Sequence, residues 1–187
     1  MRQRFALLLF VLNILGFFPS LGWARFAAEP ACTVYLERTL PYTVQSTNYT
    51  CGPACLHSVL AAWNVHSPGE MELAQRMGTS AEYGTTPESL VYEARRFGLR
   101  AWKSDLGIEE LKQALLEGET LILFWRPWPP YTRGHFSVPV KVDAKYVYFM
   151  DPDSSTGRRV AINELFRTGA LTATHITAWP QTYDTVY

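Results

Sequence analysis

A surplus of charge of either sign is absent from this chain. Of its 187 residues only 18% are charged, with 17 Lys and Arg against 17 Asp and Glu. No basic excess points to nucleic acid as a partner, and a hydrophobic content of 48% argues against disorder. Repeats, low-complexity tracts and linkers are missing, so a single domain with its own core is expected over residues 25–187. Cysteine is scarce, limited to Cys32, Cys51 and Cys55. An odd count leaves at least one thiol unpaired within a monomer, and an unpaired thiol in an exported chain is a candidate reactive group. Long apolar runs are also scarce. The main one, Phe5–Phe18, is short of the roughly 20 residues that a membrane helix needs.

That run has a different reading. Arg2 and Arg4 precede it, and Pro19 and the small residues Gly22 and Ala24 follow it, the layout of a secretory signal peptide over residues 1–24. Removal of the segment takes away two arginines and no acid, leaving a net charge near −2. The expected location is therefore periplasmic or secreted. The alternative is an uncleaved membrane anchor over residues 5–18, and only then would a membrane be a partner. Export would also permit disulfides.

Beyond a lead-in with a short strand near 33–36, the apolar spacing predicts a helix over 51–63, with Cys55, Val59 and Trp63 on one stripe beside Leu56 and Leu60. Ser67-Pro-Gly-Glu70 reads as a capping box opening a second helix to about Met77. Thr86-Pro87 opens a third that Gly98 stops, and a fourth runs from about Leu106 to Glu117. The period then changes. Thr120–Trp125 is a continuous apolar strand, and 135–142 and 145–150 flank the turn Asp143-Ala144 as a hairpin. A short helix near 161–166 and a strand near 171–178 close the chain. Helices first and antiparallel strands later give an α+β fold, a helical layer on a sheet.

Chemistry concentrates at "QSTNYTCGPACLHS". A cysteine attacks as thiolate, and a helix N-terminus favours that charge. Cys51 has this place, with Thr50 as cap, Pro53 in the first turn and Gly52 offering a substrate backbone close approach. Cys55, one turn deeper, reads as structural, either a buried thiol or a partner for Cys32. A thiolate needs a base, and the base an orienter. His57 points well off the Cys51 face, His66 follows the same helix, and His175 fits a half-buried strand position. His135 follows Gly134 and starts a strand, and Asp151 ends the paired strand, so the hairpin sets their side chains together. Asp153 and Asn163 are fallback orienters. The Cys51 N–H and the Gln45 carboxamide are the candidate oxyanion donors. Zinc binding by Cys51, Cys55 and His57 fits no common ligand spacing, and this chemistry needs neither metal nor other cofactor.

The stretches "QSTNYTCGPACLHSVLAAW", "GTTPESLVYEARRFGLRA" and "GHFSVPVKVDAKYVYFMDP" resemble the bacteriocin-processing (double-glycine leader) cysteine peptidases, which have a papain-like fold, over about residues 40–180. The resemblance implies Cys51 as nucleophile, His135 as base, Asp151 as orienter, Gln45 as oxyanion donor, and a peptide or protein substrate. It departs from the family at Thr50, where an acid is common. It also departs in lacking a Walker-type loop, so fusion to an exporter is not implied, and a separately encoded secretion system is the expected partner. The approach "RPWPPYTRG" reads either as a stiff surface loop or as a groove wall that selects substrate, the latter with Trp125 just before it and Trp128, Tyr131 and Gly134 within it. Acyl or peptidyl transfer, as in the related phytochelatin synthases, and an inactive peptide-binding module are the alternatives.

Overall fold

Helices come first and the sheet is completed late in the computed structural model, which describes residues 33–127 and 133–179. The expected signal segment, Cys32, Trp128 and Tyr131 lie outside the described residues. In chain order the elements are β1 (Val34–Tyr35), α1 (Cys51–Ala62), α2 (Glu70–Arg76), α3 (Pro87–Arg96), β2 (Arg100–Leu106), α4 (Ile108–Leu116), β3 (Thr120–Trp125), β4 (His135–Val142), β5 (Tyr146–Met150), β6 (Arg158–Ala161), α5 (Ile162–Leu165) and β7 (Leu171–Thr177). The strands form one antiparallel sheet in the order β2-β7-β3-β4-β5-β6, with β1 added to β4. Among the described residues no helix is long and apolar enough to cross a membrane.

Side-chain alternation along β3 divides the core. Ile122 and Phe124 pack with α1 and α3 through Leu56, Leu60 and Leu90, while Leu121, Leu123 and Trp125 pack with α4 through Leu111 and Leu115. The α+β expectation holds, with the refinement that α4 covers the opposite sheet face from α1. α1 is buried on nearly every side, so it is a central helix rather than a surface one. It ends where Asn64 turns into the left-handed region at φ 56°, with the Val65 N–H reaching back to Leu60 O at 2.9 Å. Trp63 is then fastened to β3 by its indole N–H on Thr120 Oγ1 at 2.8 Å.

Two strands escape the periodicity reading. β2 carries Lys103 and Asp105, and β6 spans only four residues, Arg158–Ala161. Both stand at the sheet's ends, where charge and shortness discourage pairing with other chains. The start of α2 also differs. The helix opens at Glu70 after Gly69, with no side-chain cap, and the Ser67 hydroxyl bonds only locally to Pro68 O at 3.2 Å. Glu70 is used elsewhere: its carboxylate accepts the Ser46 N–H at 2.8 and 3.0 Å, and the Ser46 hydroxyl as well.

The hairpin follows its expected course. Asp143 pins the turn by accepting the N–H groups of Lys145 and Tyr146 at 2.8 and 2.7 Å. Pairing of Val138 with Met150 puts the start of β4 beside the residue that follows β5. His135 and Asp151 are those two residues.

Candidate active site

Cys51 is the first residue of α1 and is 9% exposed. The expected Thr50 cap is not made. Its hydroxyl turns back to Thr47 instead, accepting that residue's N–H at 3.2 Å. The first turn of α1 holds no acid and no side-chain cap, so its free amides keep the partial positive charge that a thiolate would use. Cys55 lies one turn deeper as a free thiol, fully buried, its Sγ 3.4 Å from Phe136 O. Burial pushes that thiol well up, which suits an inert core group.

His135, 3% exposed, pairs with Trp125 across β3 and β4. Its Nε2 donates to Asp151 Oδ1 at 2.8 Å, and the ring is also hydrogen-bonded to Cys51, which leaves Nδ1 for the thiol. Burial works to lower the His135 pKa, but the hydrogen bonds and negative charge of Asp151 and Cys51 outweigh it and carry the value to about 9. Asp151 is fully buried. Burial alone would raise its carboxyl, yet His135, the Asp153 N–H at 3.0 Å and the Arg158 guanidinium hold it below the usual carboxylate range. The carboxylate that reaches the ring is that of Asp151; Asp153 contributes only its N–H and an ion pair to Arg158 at 3.5 Å.

Gln45 is set into this arrangement by its neighbours. Its N–H donates to Pro152 O at 2.8 Å, tying the lead-in to the segment just after Asp151, and Glu70 grips Ser46 next door. Its side-chain Oε1 is buried with no hydrogen-bond partner among the described residues. A buried carbonyl oxygen left unengaged by the protein is costly unless a water or ligand donates to it. Gln45, Pro152 and Asp153 border a cavity of about 260 Å³.

Three of the expected substrate contacts have packing roles in the fold. Gly52 does not open a lane for substrate, because the space of its missing Cβ is filled by Thr85, 2.7–2.8 Å away. Its smallness serves internal packing. Trp125 is not an open wall: it is 6% exposed, stacks on Phe149 with centroids 5.7 Å apart, and donates its indole N–H to Ser137 Oγ at 3.1 Å. It supports the imidazole edge-on from 6.1 Å and borders a separate cavity of about 230 Å³. Gly134 is required by the close pass of the Phe124 ring, 2.0 Å from where a Cβ would stand.

The other histidines are engaged elsewhere. His57 meets Thr43 Oγ1 at 3.1 Å, and among the described residues no group of three or more His, Cys, Asp or Glu is clustered as metal ligands. His175 links Ser104 at 2.8 Å to Glu119 at 2.7 Å and stacks on Trp102. That chain has the bond order of a hydrolase triad, but Ser104 lies mid-strand and the adjoining groove is walled by Glu109, Glu110, Glu117 and Glu119. Such charge opposes an oxyanion, and the group serves to fasten β2 to β7 and β3. The sequence reading missed Arg158 and Ser137 at the carboxylate. Ser137, two residues beyond His135 on the same strand face, could have been found by period; Arg158 could not, because β6 gave no signal.

A thiol at a helix start facing a carboxylate-bound imidazole on an antiparallel sheet defines a cysteine peptidase of papain-like architecture. The Peptidase C39 family model matches residues 39–172, and the chain belongs to that family. An uncharacterized protein of Methanothermobacter thermautotrophicus is 32% identical over 127 residues, 66% of this chain and 78% of the relative. Among solved structures, a double glycine motif protease from an AMS/PCAT transporter, in complex with the leader peptide, is 25% identical with a TM-score of 0.59, covering 78% of this chain and 99% of that one. The peptidase domain of Streptococcus ComA shares the fold at 20% identity and a TM-score of 0.63, over 75% of this chain and 100% of its own.

Proposed function

We propose that this cysteine peptidase is exported and cuts a peptide or protein substrate through a Cys51–His135–Asp151 triad, with Gln45 and the Cys51 N–H as oxyanion donors. The observation that carries the reading is the single imidazole hydrogen-bonded to both Cys51 and the buried Asp151 carboxylate. In the mechanism, Cys51 Sγ attacks the scissile carbonyl carbon. The developing oxyanion is met by the Cys51 N–H and the Gln45 carboxamide. The C–N bond breaks as the His135 imidazolium gives its proton to the leaving amine, forming a thioester. His135 then takes a proton from water, whose oxygen displaces the thiolate and releases the acid product. Asp151 keeps the ring in the orientation that faces Nδ1 to sulfur.

Peptide as the substrate class is supported by the leader-peptide complex of the solved relative. Export is supported by the pattern of residues 1–24, and a separately encoded secretion system is the partner that fits it. Gln45→Ala tests the reading. Turnover of a peptide library should fall roughly 10²–10³-fold with little change in KM, since an oxyanion donor acts when charge develops in the transition state. Equal rates for wild type and variant remove the oxyanion role, and the absence of hydrolysis by wild type removes the triad reading.

A further inference from the structure

Asp151 has no contact with solvent, and both of its oxygens are occupied. Oδ1 accepts from His135 Nε2 at 2.8 Å and from the Asp153 N–H at 3.0 Å. Oδ2 accepts from Arg158 Nε at 2.7 Å and from Ser137 Oγ at 3.4 Å. Arg158 enters from β6, a strand that supplies nothing else to the site, and its guanidinium also reaches Asp153 at 3.5 Å and lies 5.9 Å from the centre of the Trp125 ring.

We infer that Arg158 is a positioning residue of the peptidase reaction, a permanent cation that keeps Asp151 ionised and fixed in rotation while His135 gains and loses its proton. The inference rests on the triad proposed above. A buried carboxylate is stable only with a paired charge. His135 supplies one as imidazolium, but gives that charge up each time it protonates a leaving amine. At that moment Asp151 would face a neutral ring while buried from solvent and would itself attract the proton. Arginine stays charged throughout, because its pKa lies far above the working range. Its side-on hydrogen bond also opposes rotation of the carboxylate, which would break the Oδ1 bond to His135.

Among the described residues, the charged and titratable groups that interact with Asp151 are His135 on β4, Cys55 on α1, Tyr42 in the lead-in, Asp153 after β5 and Arg158 on β6. Of these, Arg158 is the constant positive charge. It contributes to holding the Asp151 carboxyl below the usual range.

The test compares full-length wild type, Arg158→Gln, Arg158→Met and Arg158→Lys for hydrolysis of one peptide from pH 4 to 10, with far-UV circular dichroism and thermal melting of each. Arg158→Gln should lose roughly 10–100-fold in kcat at unchanged KM, less than removal of the orienter itself. The acid limb of its kcat profile should move to higher pH, a shift that a merely structural role would not produce. Arg158→Lys should restore the acid limb. Arg158→Met keeps the apolar stem and replaces Gln if that variant does not fold. A folded, uncharged variant with wild-type kcat and acid limb overturns the inference and leaves the triad standing. If both uncharged variants fail to fold, the residue is structural and the inference falls. Wild type that neither hydrolyses peptide nor labels at Cys51 overturns both together.

Discussion

Replacing Asp151 by Asn changes one oxygen to an amide and removes one charge, and the surroundings dictate the outcome. The wild-type carboxylate accepts from donors on both sides, His135 Nε2 at 2.8 Å and Arg158 Nε at 2.7 Å. An asparagine has one acceptor atom and one donor, so it cannot satisfy both. If its oxygen faces His135, its NH₂ opposes the Arg158 donor. If its oxygen faces Arg158, its NH₂ forces Nε2 to accept, and the ring proton moves to Nδ1. A ring protonated there cannot take a proton from the thiol. The expected loss in kcat is on the order of 10⁴, the magnitude for the equivalent change in a serine protease triad. Breaking a buried pair costs about 3–5 kcal/mol, and partial exposure of Arg158 reduces this to about 2 kcal/mol. For a domain of this size that lowers Tm by about 4–8 °C. Peptide hydrolysis, with a melting curve on the same sample, measures both. A folded Asp151→Asn variant within tenfold of wild-type kcat refutes the orienter role and passes it to Asp153 or Asn163.

The remaining predictions concern pH. The His135 pKa is raised to about 9 by Asp151 and Cys51 against the opposing effect of burial, so the imidazolium that protonates the leaving amine is lost as pH rises through about 9. A kcat/KM profile should fall on that alkaline side, and a plateau through pH 10 contradicts it. Stability follows the same sign. The His135 contribution is complete below the ordinary histidine value near 6.5 and is lost as pH rises toward about 9, on the order of 3 kcal/mol at most. Asp151 acts oppositely: its carboxyl is held below the usual range, so its contribution is present above the ordinary aspartate value and is lost on acidification. Urea titrations of wild type and His135→Gln between pH 6 and 9.5 should converge as pH rises; parallel curves refute the assignment.

What could be read from the chain depended on how local the signal was. The helix at Cys51 announced itself through a near-continuous apolar surface and a Pro in its first turn, and the β4–β5 hairpin through Asp143 and alternating valines. Those two elements carry Cys51, His135 and Asp151, so the candidate site was legible. Ser67-x-x-Glu70 matched a capping pattern, but the Glu70 carboxylate is taken by Ser46, a tertiary contact that no local pattern records. Gly52 invited a substrate reading because Thr85, distant in sequence, was invisible as its neighbour. β2 and β6 were hidden by their edge positions, where packing does not demand apolar alternation, and with β6 went Arg158. Trp125 was assigned to a groove for its residue type, when its burial against Phe149 decides its duty.

The central claim is that Cys51 is the nucleophile, made reactive by the start of α1 and by His135. Its most direct test is to treat the full chain at pH 7 with a peptide bearing a thiol-reactive electrophile and to map the adduct by mass spectrometry. Cys51 should carry the label, in proportion to lost hydrolysis, while Cys55, buried and pushed up in pKa, stays unmodified. His135→Ala should slow the labelling. Faster modification of Cys55, or activity that survives full modification of Cys51, contradicts the account.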